Sequence, residues 1–232
     1  MNSILITGSN RGLGLEWARQ YGQSGWRVYA TCRYPDQADA LQQLCQTYPT
    51  MSMHRLDVTR AEEIRNVVEQ LQGAPIDLLI NNAGVYIEKY QQDSLGSIDY
   101  EAWRDSFNVN SLGAVRLTEA LLENIARSEK RLVVAVTSHM GSIAEIEGPG
   151  SYAYRSSKAA LNAAMKGISL ELAPRAIGIL LLHPGWVRTR MGGMDATLST
   201  EQSVKGMRKI IENYSRRMSG QFYRYDGSKI PW

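Results

Sequence analysis

Two side chains four residues apart define the chemistry open to this sequence: Tyr154 and Lys158. On a helix, four residues advance about 400°, so the phenol and the ammonium share one face. A free phenol titrates near ~10 and moves protons poorly at neutrality. Bringing it to about 7 takes roughly 4 kcal/mol of added stabilisation for the phenolate, to which a neighbouring cation contributes. The pair therefore reads as a general acid–base unit. Tyr152 is a rival phenol, but its spacing puts it roughly 120° from Lys158 around the helix, and the residue four positions on from it is Ser156, not a base. Ser138 closes the apolar run 132–138, where a hydroxyl can hydrogen-bond a reacting oxygen. Ser142 is the alternative; Ser138 fits better because ligands gather at the carboxyl ends of strands.

A second constellation lies at the start of the chain, in Thr7-Gly8-Ser9-Asn10-Arg11-Gly12-Leu13-Gly14. It follows a short apolar run and opens a helical pattern. Backbone amides there can face a pyrophosphate, and side chains at the glycines would block its approach. A dinucleotide cofactor follows from that context. Its oxidised nicotinamide adds a second positive charge able to favour the Tyr154 phenolate. Proteins that prefer NAD usually place an acid at the end of the second strand. Here that end is occupied by Cys32, and Arg33 follows. Arg33 and Arg11 can grip a 2′-phosphate through charge-assisted hydrogen bonds of about 1.5–3 kcal/mol each, so NADP(H) is the expected cofactor.

Positioning these groups takes an alternating framework. Strand-like runs occupy 3–7, 27–32, 51–56, 76–81, 132–138, 178–183 and 221–225. Helical patterns fill 12–23, 36–47, 60–72, 100–128, 152–173 and 200–217. Runs such as Leu132-Val133-Val134-Ala135-Val136 are apolar without alternation, as expected when helices cover both faces of a sheet. The rhythm predicts an α/β protein: one Rossmann-like, doubly wound domain over 1–232, with a seven-stranded, mostly parallel sheet. Segments 85–99 and 185–199 are expected to be irregular.

With these motifs in place, the whole chain resembles the short-chain dehydrogenase/reductase family. The family's TGxxxGxG loop is present at 7–14, and its NNAG motif as Asn81-Asn82-Ala83-Gly84. Asp57, beside Val58, matches the aspartate that touches adenine. Asn110 matches the asparagine of a catalytic tetrad completed by Ser138, Tyr154 and Lys158. Pro184-Gly185-Trp186-Val187-Arg188-Thr189 matches PGxxxT. A nearer likeness is to the C-factor-like carbonyl reductases, carried by 140–143, 153–162 and 183–193. Arg190 departs from the acid expected there after Thr189, which bears on the substrate loop at 185–199. The resemblance implies NADPH-dependent reduction of an aldehyde or ketone, with Tyr154 as general acid and Ser138 on the carbonyl. Lys158 lowers the phenol's pKa and holds the nicotinamide ribose, and Asn110 supports a water relay. Val187 and Thr189 hold the carboxamide and phosphates together with Pro184 and Gly185, and Asn82, Ala83 and Gly84 line the ribose. Asn81 is expected to tie adjacent strands. The resemblance also implies a homodimer or homotetramer through 100–128 and 152–173, where Ala159, Ala160, Ala163 and Ala164 permit close helix approach. Its alternative is an NADP-binding regulatory or developmental signalling protein with secondary turnover. An epimerase or dehydratase fits less well, since such members carry a larger C-terminal domain.

Composition limits the other classes. A net charge of +3 over 232 residues, with cations and anions interspersed, is an ordinary solvated surface and no nucleic-acid footprint. Apolar residues make up 44%, which excludes general disorder. No run suits a membrane span or a leader, so a cytoplasmic protein is expected. Cys32 and Cys45 lack metal or disulfide spacing, and His54, His139 and His183 form no ligand set, so no metal is expected. His139 is a candidate for the substrate mouth. Trp186 and Met191–Met194 suggest an apolar or aromatic substrate, although packing accounts for them nearly as well.

Overall fold

Apolar residues on successive positions of each strand face opposite ways, and this sorts the chain into two cores. The computed structural model describes residues 1–90 and 94–232. Strands β1 (Ser3–Ile6), β2 (Arg27–Cys32), β3 (Met51–Arg55), β4 (Leu78–Asn81), β5 (Leu132–Val136), β6 (Gly178–His183) and β7 (Gln221–Arg224) form one seven-stranded sheet. Its order is β3-β2-β1-β4-β5-β6-β7, and every pairing is parallel. Ile4, Ile6, Leu78, Ile80, Val134, Leu180 and Leu182 face one layer of helices: α1 (Gly12–Gln23), α2 (Asp39–Thr47) and α8 (Thr200–Glu212). Leu5, Leu79, Val133, Ala135, Ile179 and Leu181 face the other: α3 (Ala61–Gln70), α5 (Gly113–Ala120), α6 (Leu122–Ala126) and α7 (Tyr152–Glu171), with α4 (Tyr100–Phe107) packed on α7. Each fully buried Leu or Ile contributes about 1.5–3 kcal/mol of hydrophobic stabilisation.

The chain reverses direction across the sheet between β1 and β4, so a crevice opens at their carboxyl ends. Both the glycine loop and the NNAG segment leave the sheet there. Thr7 Oγ1 accepts from the backbone N–H of Asn82 at 2.9 Å and of Ala83 at 2.8 Å. The Asn82 amide donates to the Thr7 carbonyl at 2.8 Å, which closes the stitch between the two loops.

The expected helix over 100–128 is interrupted. A π-turn spans Asn108–Leu112, and a second break at Leu121 separates α5 from α6. The π-turn is held by tertiary bonds: Ser111 Oγ donates to the Ser157 carbonyl at 2.6 Å, and the Asn110 amide donates to Ser157 Oγ at 2.9 Å. The expected helix over 200–217 ends early at Glu212, followed by a short 3-10 turn at Arg216–Met218. Asn81 does not tie adjacent strands. Its amide donates to Thr118 Oγ1 of α5 at 3.0 Å, so it joins the sheet to a helix instead. Segment 85–99 is irregular apart from one 3-10 turn, Ile87–Tyr90, and positions 91–93 lie outside the described residues. Segment 185–199 has no regular element and pairs only through the Val187–Leu198 bridge.

Candidate active site

Three glycines shape the floor of the crevice. Gly8 and Gly12 have φ of +68° and +56°, the left-handed region that side-chain-bearing residues avoid. A Cβ on Gly14 would lie 2.0 Å from the Gly8 carbonyl oxygen, so the helix can start against the loop only with glycine there. Leu13 packs against the core below, whereas Asn10 and Arg11 face solvent. The loop is tied to β2 by the Ser9 N–H, which donates to the Thr31 carbonyl at 2.8 Å. That bond brings the end of β2 beside it: Cys32 is buried, while Arg33 is exposed with its guanidinium 5.8 Å from the Tyr34 ring centroid. The backbone of this cradle, left open by glycines and flanked by two exposed cations, suits a dinucleotide with an added phosphate.

On the far side of the cradle, Asp57 Oδ1 accepts from Thr59 N and Oγ1 at 2.9 and 2.7 Å, closing the turn into α3. Val58 is buried against Gly113. The loop after β6 descends on the glycines from above. A Cβ on Gly12 would lie 3.4 Å from Thr189 Cγ2. Val187 is buried, Thr189 Oγ1 accepts from Gly192 N at 2.9 Å, and the Pro184 carbonyl accepts from Ser203 Oγ at 2.6 Å. Gly185 has φ +81°, and a side chain there would run into Leu198 and Tyr225. Arg190 is exposed at the outer edge of this loop.

Beyond the NNAG segment stand the four expected catalytic groups. Asn110, carried inward by the π-turn, accepts from Val85 N at 2.8 Å and donates to the Val85 carbonyl at 2.9 Å. A Cβ on Gly84 would lie 3.2 Å from Asn110 Oδ1 and 3.5 Å from Lys158 Nζ, so these three residues converge. Lys158 Nζ donates to the Val136 carbonyl at 3.1 Å and sits 5.9 Å from the centroid of the Tyr154 ring. Burial drives the Lys158 ammonium down to about 8. Ser138 is buried at the end of β5, where its Oγ accepts from Met140 N at 3.2 Å. Ser142 is also buried, but its hydroxyl accepts from Glu145 N at 3.3 Å within its own turn.

Tyr154 behaves differently from expectation. Its phenol is pushed up to about 12: burial is the largest cause, Tyr86 and Glu88 act in the same direction, and a hydrogen bond with Ser138 opposes them. Lysine proximity alone therefore does not acidify the phenol, because desolvation of the anion is the dominant influence. The structure also adds neighbours absent from the motifs. Tyr86 stacks on Tyr154 with centroids 4.3 Å apart and planes 16° off parallel. Glu88 Oε1 accepts from Tyr154 N at 2.5 Å. Met191 brings its sulfur to 4.0 Å from the Tyr154 hydroxyl. Tyr86 and Glu88 follow NNAG in irregular sequence, where no periodicity indicates burial. At the rim, His139 is exposed and lies 4.8 Å, ring to ring, from buried His183, whose imidazole burial pushes down to about 3.

Comparison with known proteins agrees with this geometry. The model of the short chain dehydrogenase family matches residues 2–198. C-signal of Myxococcus xanthus is 46% identical over 158 residues, covering 68% of this chain and 93% of that protein. Among solved structures, the carbonyl reductase Sniffer of D. melanogaster superposes with a TM-score of 0.91 at 30% identity, over 100% of both chains. An NADPH-bound carbonyl reductase from chicken fatty liver gives 0.91 at 30% identity, over 100% of this chain and 99% of the other.

Proposed function

The chain belongs to the short-chain dehydrogenase family, and from that premise we propose that it is an NADPH-dependent reductase of aldehydes or ketones with Tyr154 as general acid. The observation that carries the reading is the convergence of Ser138, Tyr154, Lys158 and Asn110 beside a glycine cradle at the carboxyl ends of β1, β4 and β5. The similar carbonyl reductase from chicken fatty liver is NADPH-bound, which supports the same cofactor here. Gly8, Asn10, Gly12, Leu13 and Gly14 would line its pyrophosphate, and Arg11 and Arg33 its 2′-phosphate. Asp57 and Val58 would line the adenine, and Asn82, Ala83, Gly84 and Lys158 the ribose. Pro184, Gly185, Val187 and Thr189 would close over the nicotinamide end.

When bound, NADPH supplies a hydride to the carbonyl carbon. Ser138 donates a hydrogen bond to the carbonyl oxygen and stabilises the charge that develops there. Tyr154, fully protonated at neutral pH, passes its proton to that oxygen. The phenolate left behind is stabilised by the Lys158 ammonium. Asn110, through its two bonds to Val85, holds the loop that faces Lys158 and supports a water path from solvent. Trp186, Met191 and Met194 give the loop over Tyr154 an exposed apolar lining, which favours an apolar or aromatic carbonyl substrate. NADPH oxidation against a panel of aldehydes and ketones tests the reading. Tyr154→Phe is expected to lower kcat at least a thousandfold, about 4 kcal/mol in the barrier, while leaving NADPH affinity nearly unchanged. Retained turnover in that variant rejects the assignment.

The 46% identity to C-signal favours a second reading, a dinucleotide-binding signalling protein in which turnover is secondary. NADPH binding without oxidation on any carbonyl would support it over the first. Assembly follows the family-based expectation: the outer faces of α4, α5 and α7 are proposed to join copies of the chain into a dimer or tetramer. No described helix is long and apolar enough to cross a membrane. Free Cys32 and Cys45 suit a reducing compartment, so the cytoplasm is the proposed location.

A further inference from the structure

We propose that Glu88 is a positioning residue for Tyr154: its carboxylate caps α7 from a separate segment and adds a fixed anion beside the catalytic phenol. This rests on the reading of Tyr154 as general acid.

The first support is a helix that lacks a cap of its own. Ser151, at the start of α7, is left-handed (φ 56°, ψ 35°), its side chain makes no capping bond, and the first turn contains no acid. The leading N–H groups of a helix need acceptors from elsewhere. Glu88 supplies one: Oε1 accepts from Tyr154 N at 2.5 Å. The second support is burial. Glu88 is 6% exposed, and its Oε2 has no hydrogen-bond partner among the described residues. Nor does any cation pair with it there. A carboxylate so placed is expensive unless something compensates it. The compensation on hand is the positive end of the α7 dipole, which favours an anion at this point.

The third support is that the same short segment also grips the ring. Tyr86 stacks on Tyr154 at 4.3 Å, and its hydroxyl is hydrogen-bonded to Ser151 Oγ at the head of α7. Backbone and side chain of residue 154 are thus fixed by residues 88 and 86 together. The titratable and charged groups that face the phenol are few. Lys158 comes from α7, Ser138 from the end of β5, and Tyr86 and Glu88 from the segment after β4. The loop after β6 contributes the uncharged sulfur of Met191, whose carbonyl accepts from Lys89. Glu88 raises the phenol, so loss of the anion at 88 lowers the phenol's pKa and moves an alkaline limb to which the phenol contributes down.

Two variants separate the roles. Glu88→Gln keeps a carbonyl acceptor and the volume but removes the charge; Glu88→Ala removes both. Thermal unfolding and the pH profile of kcat/KM for NADPH-dependent reduction are measured on each. Glu88→Gln is expected to unfold near the parent temperature while its alkaline limb shifts down by about half a pH unit, a roughly threefold loss on that limb. Glu88→Ala is expected to unfold about 2–6 °C lower and to lose kcat about tenfold with KM for NADPH unchanged. A Glu88→Gln profile superimposable on the parent overturns the electrostatic role, and equal unfolding temperatures for all three proteins overturn the capping role. If the parent reduces no carbonyl, the functional reading fails, yet the unfolding comparison still decides whether Glu88 caps α7.

Discussion

Tyr154 and Lys158 are displaced in opposite directions by one cause. Burial favours the neutral form of each, pushing the phenol up to about 12 and the ammonium down to about 8. For carbonyl reduction the first displacement is useful, because the acid stays protonated across the neutral range. The second sets a limit. A lowered lysine pKa means the cation is lost early as pH rises, and with it the partner of the phenolate that proton transfer leaves behind. The expected kcat/KM for reduction is therefore flat near pH 6 to 7 and falls above about 8. A profile still flat at pH 10 would contradict this role for Lys158. Arg33 and Arg11, proposed to hold the 2′-phosphate, are both solvent-exposed. Exposure discounts the full strength of a charge-assisted bond, so Arg33→Ala should narrow the NADPH-over-NADH ratio of kcat/KM by about tenfold, roughly 1.4 kcal/mol. An unchanged ratio would place the 2′-phosphate elsewhere.

Elements bring these residues together through contacts that sequence motifs mark unevenly. The junction of β1 and α1 was legible because its requirement is local: glycine at 14 is imposed by the Gly8 carbonyl lying where a Cβ would stand. Gly14→Ala must separate helix from loop, backbone against backbone. It is expected to destabilise the fold by about 1–3 kcal/mol, lowering Tm by about 2–12 °C, and to weaken NADPH binding at least tenfold in a fluorescence titration. Normal binding and stability in that variant would mean the junction is loose. The seven-stranded, parallel character of the sheet and the grouping of the four proposed catalytic residues were equally legible, since apolar runs and spaced motifs encode them; the strand order was not read from the sequence. The π-turn at Asn108–Leu112 was not. Its helical periodicity continues unbroken, and the departure is imposed by Ser157 and Val85, distant in sequence. Asn81 likewise looked like a strand tie, yet Thr118 across the helix layer claims its amide. Glu88 was invisible for a related reason: a buried acid in irregular sequence is explained only by the uncapped helix it meets.

Across the molecule, the helices that hold the proposed catalytic residues also expose large apolar side chains. Tyr100, Leu112 and Leu170 are 64%, 43% and 66% exposed on the outer side of α4, the π-turn and α7. A cavity of about 430 Å³ lies among Tyr100, Trp103, Arg104, Phe107, Asn108 and Leu112. Along α7, Ala163 and Gly167 face outward, and small groups there let a second helix approach closely. A stable pairing buries roughly 1,200–2,000 Å² in total, which the combined outer faces of two long helical segments can provide. The chain is therefore expected to run in light scattering at twice or four times 25.9 kDa. Ala163→Arg inserts a long cation where helices would meet and should yield the monomer. Because every proposed catalytic and cofactor-binding residue comes from one chain, that monomer should still bind NADPH. Its kcat should nonetheless fall, about threefold to tenfold, since α4 and α7 position Asn110, Tyr154 and Lys158 and assembly stiffens both. A parent that is monomeric at micromolar concentration, or an Ala163→Arg variant of unchanged mass, would move the interface away from these helices.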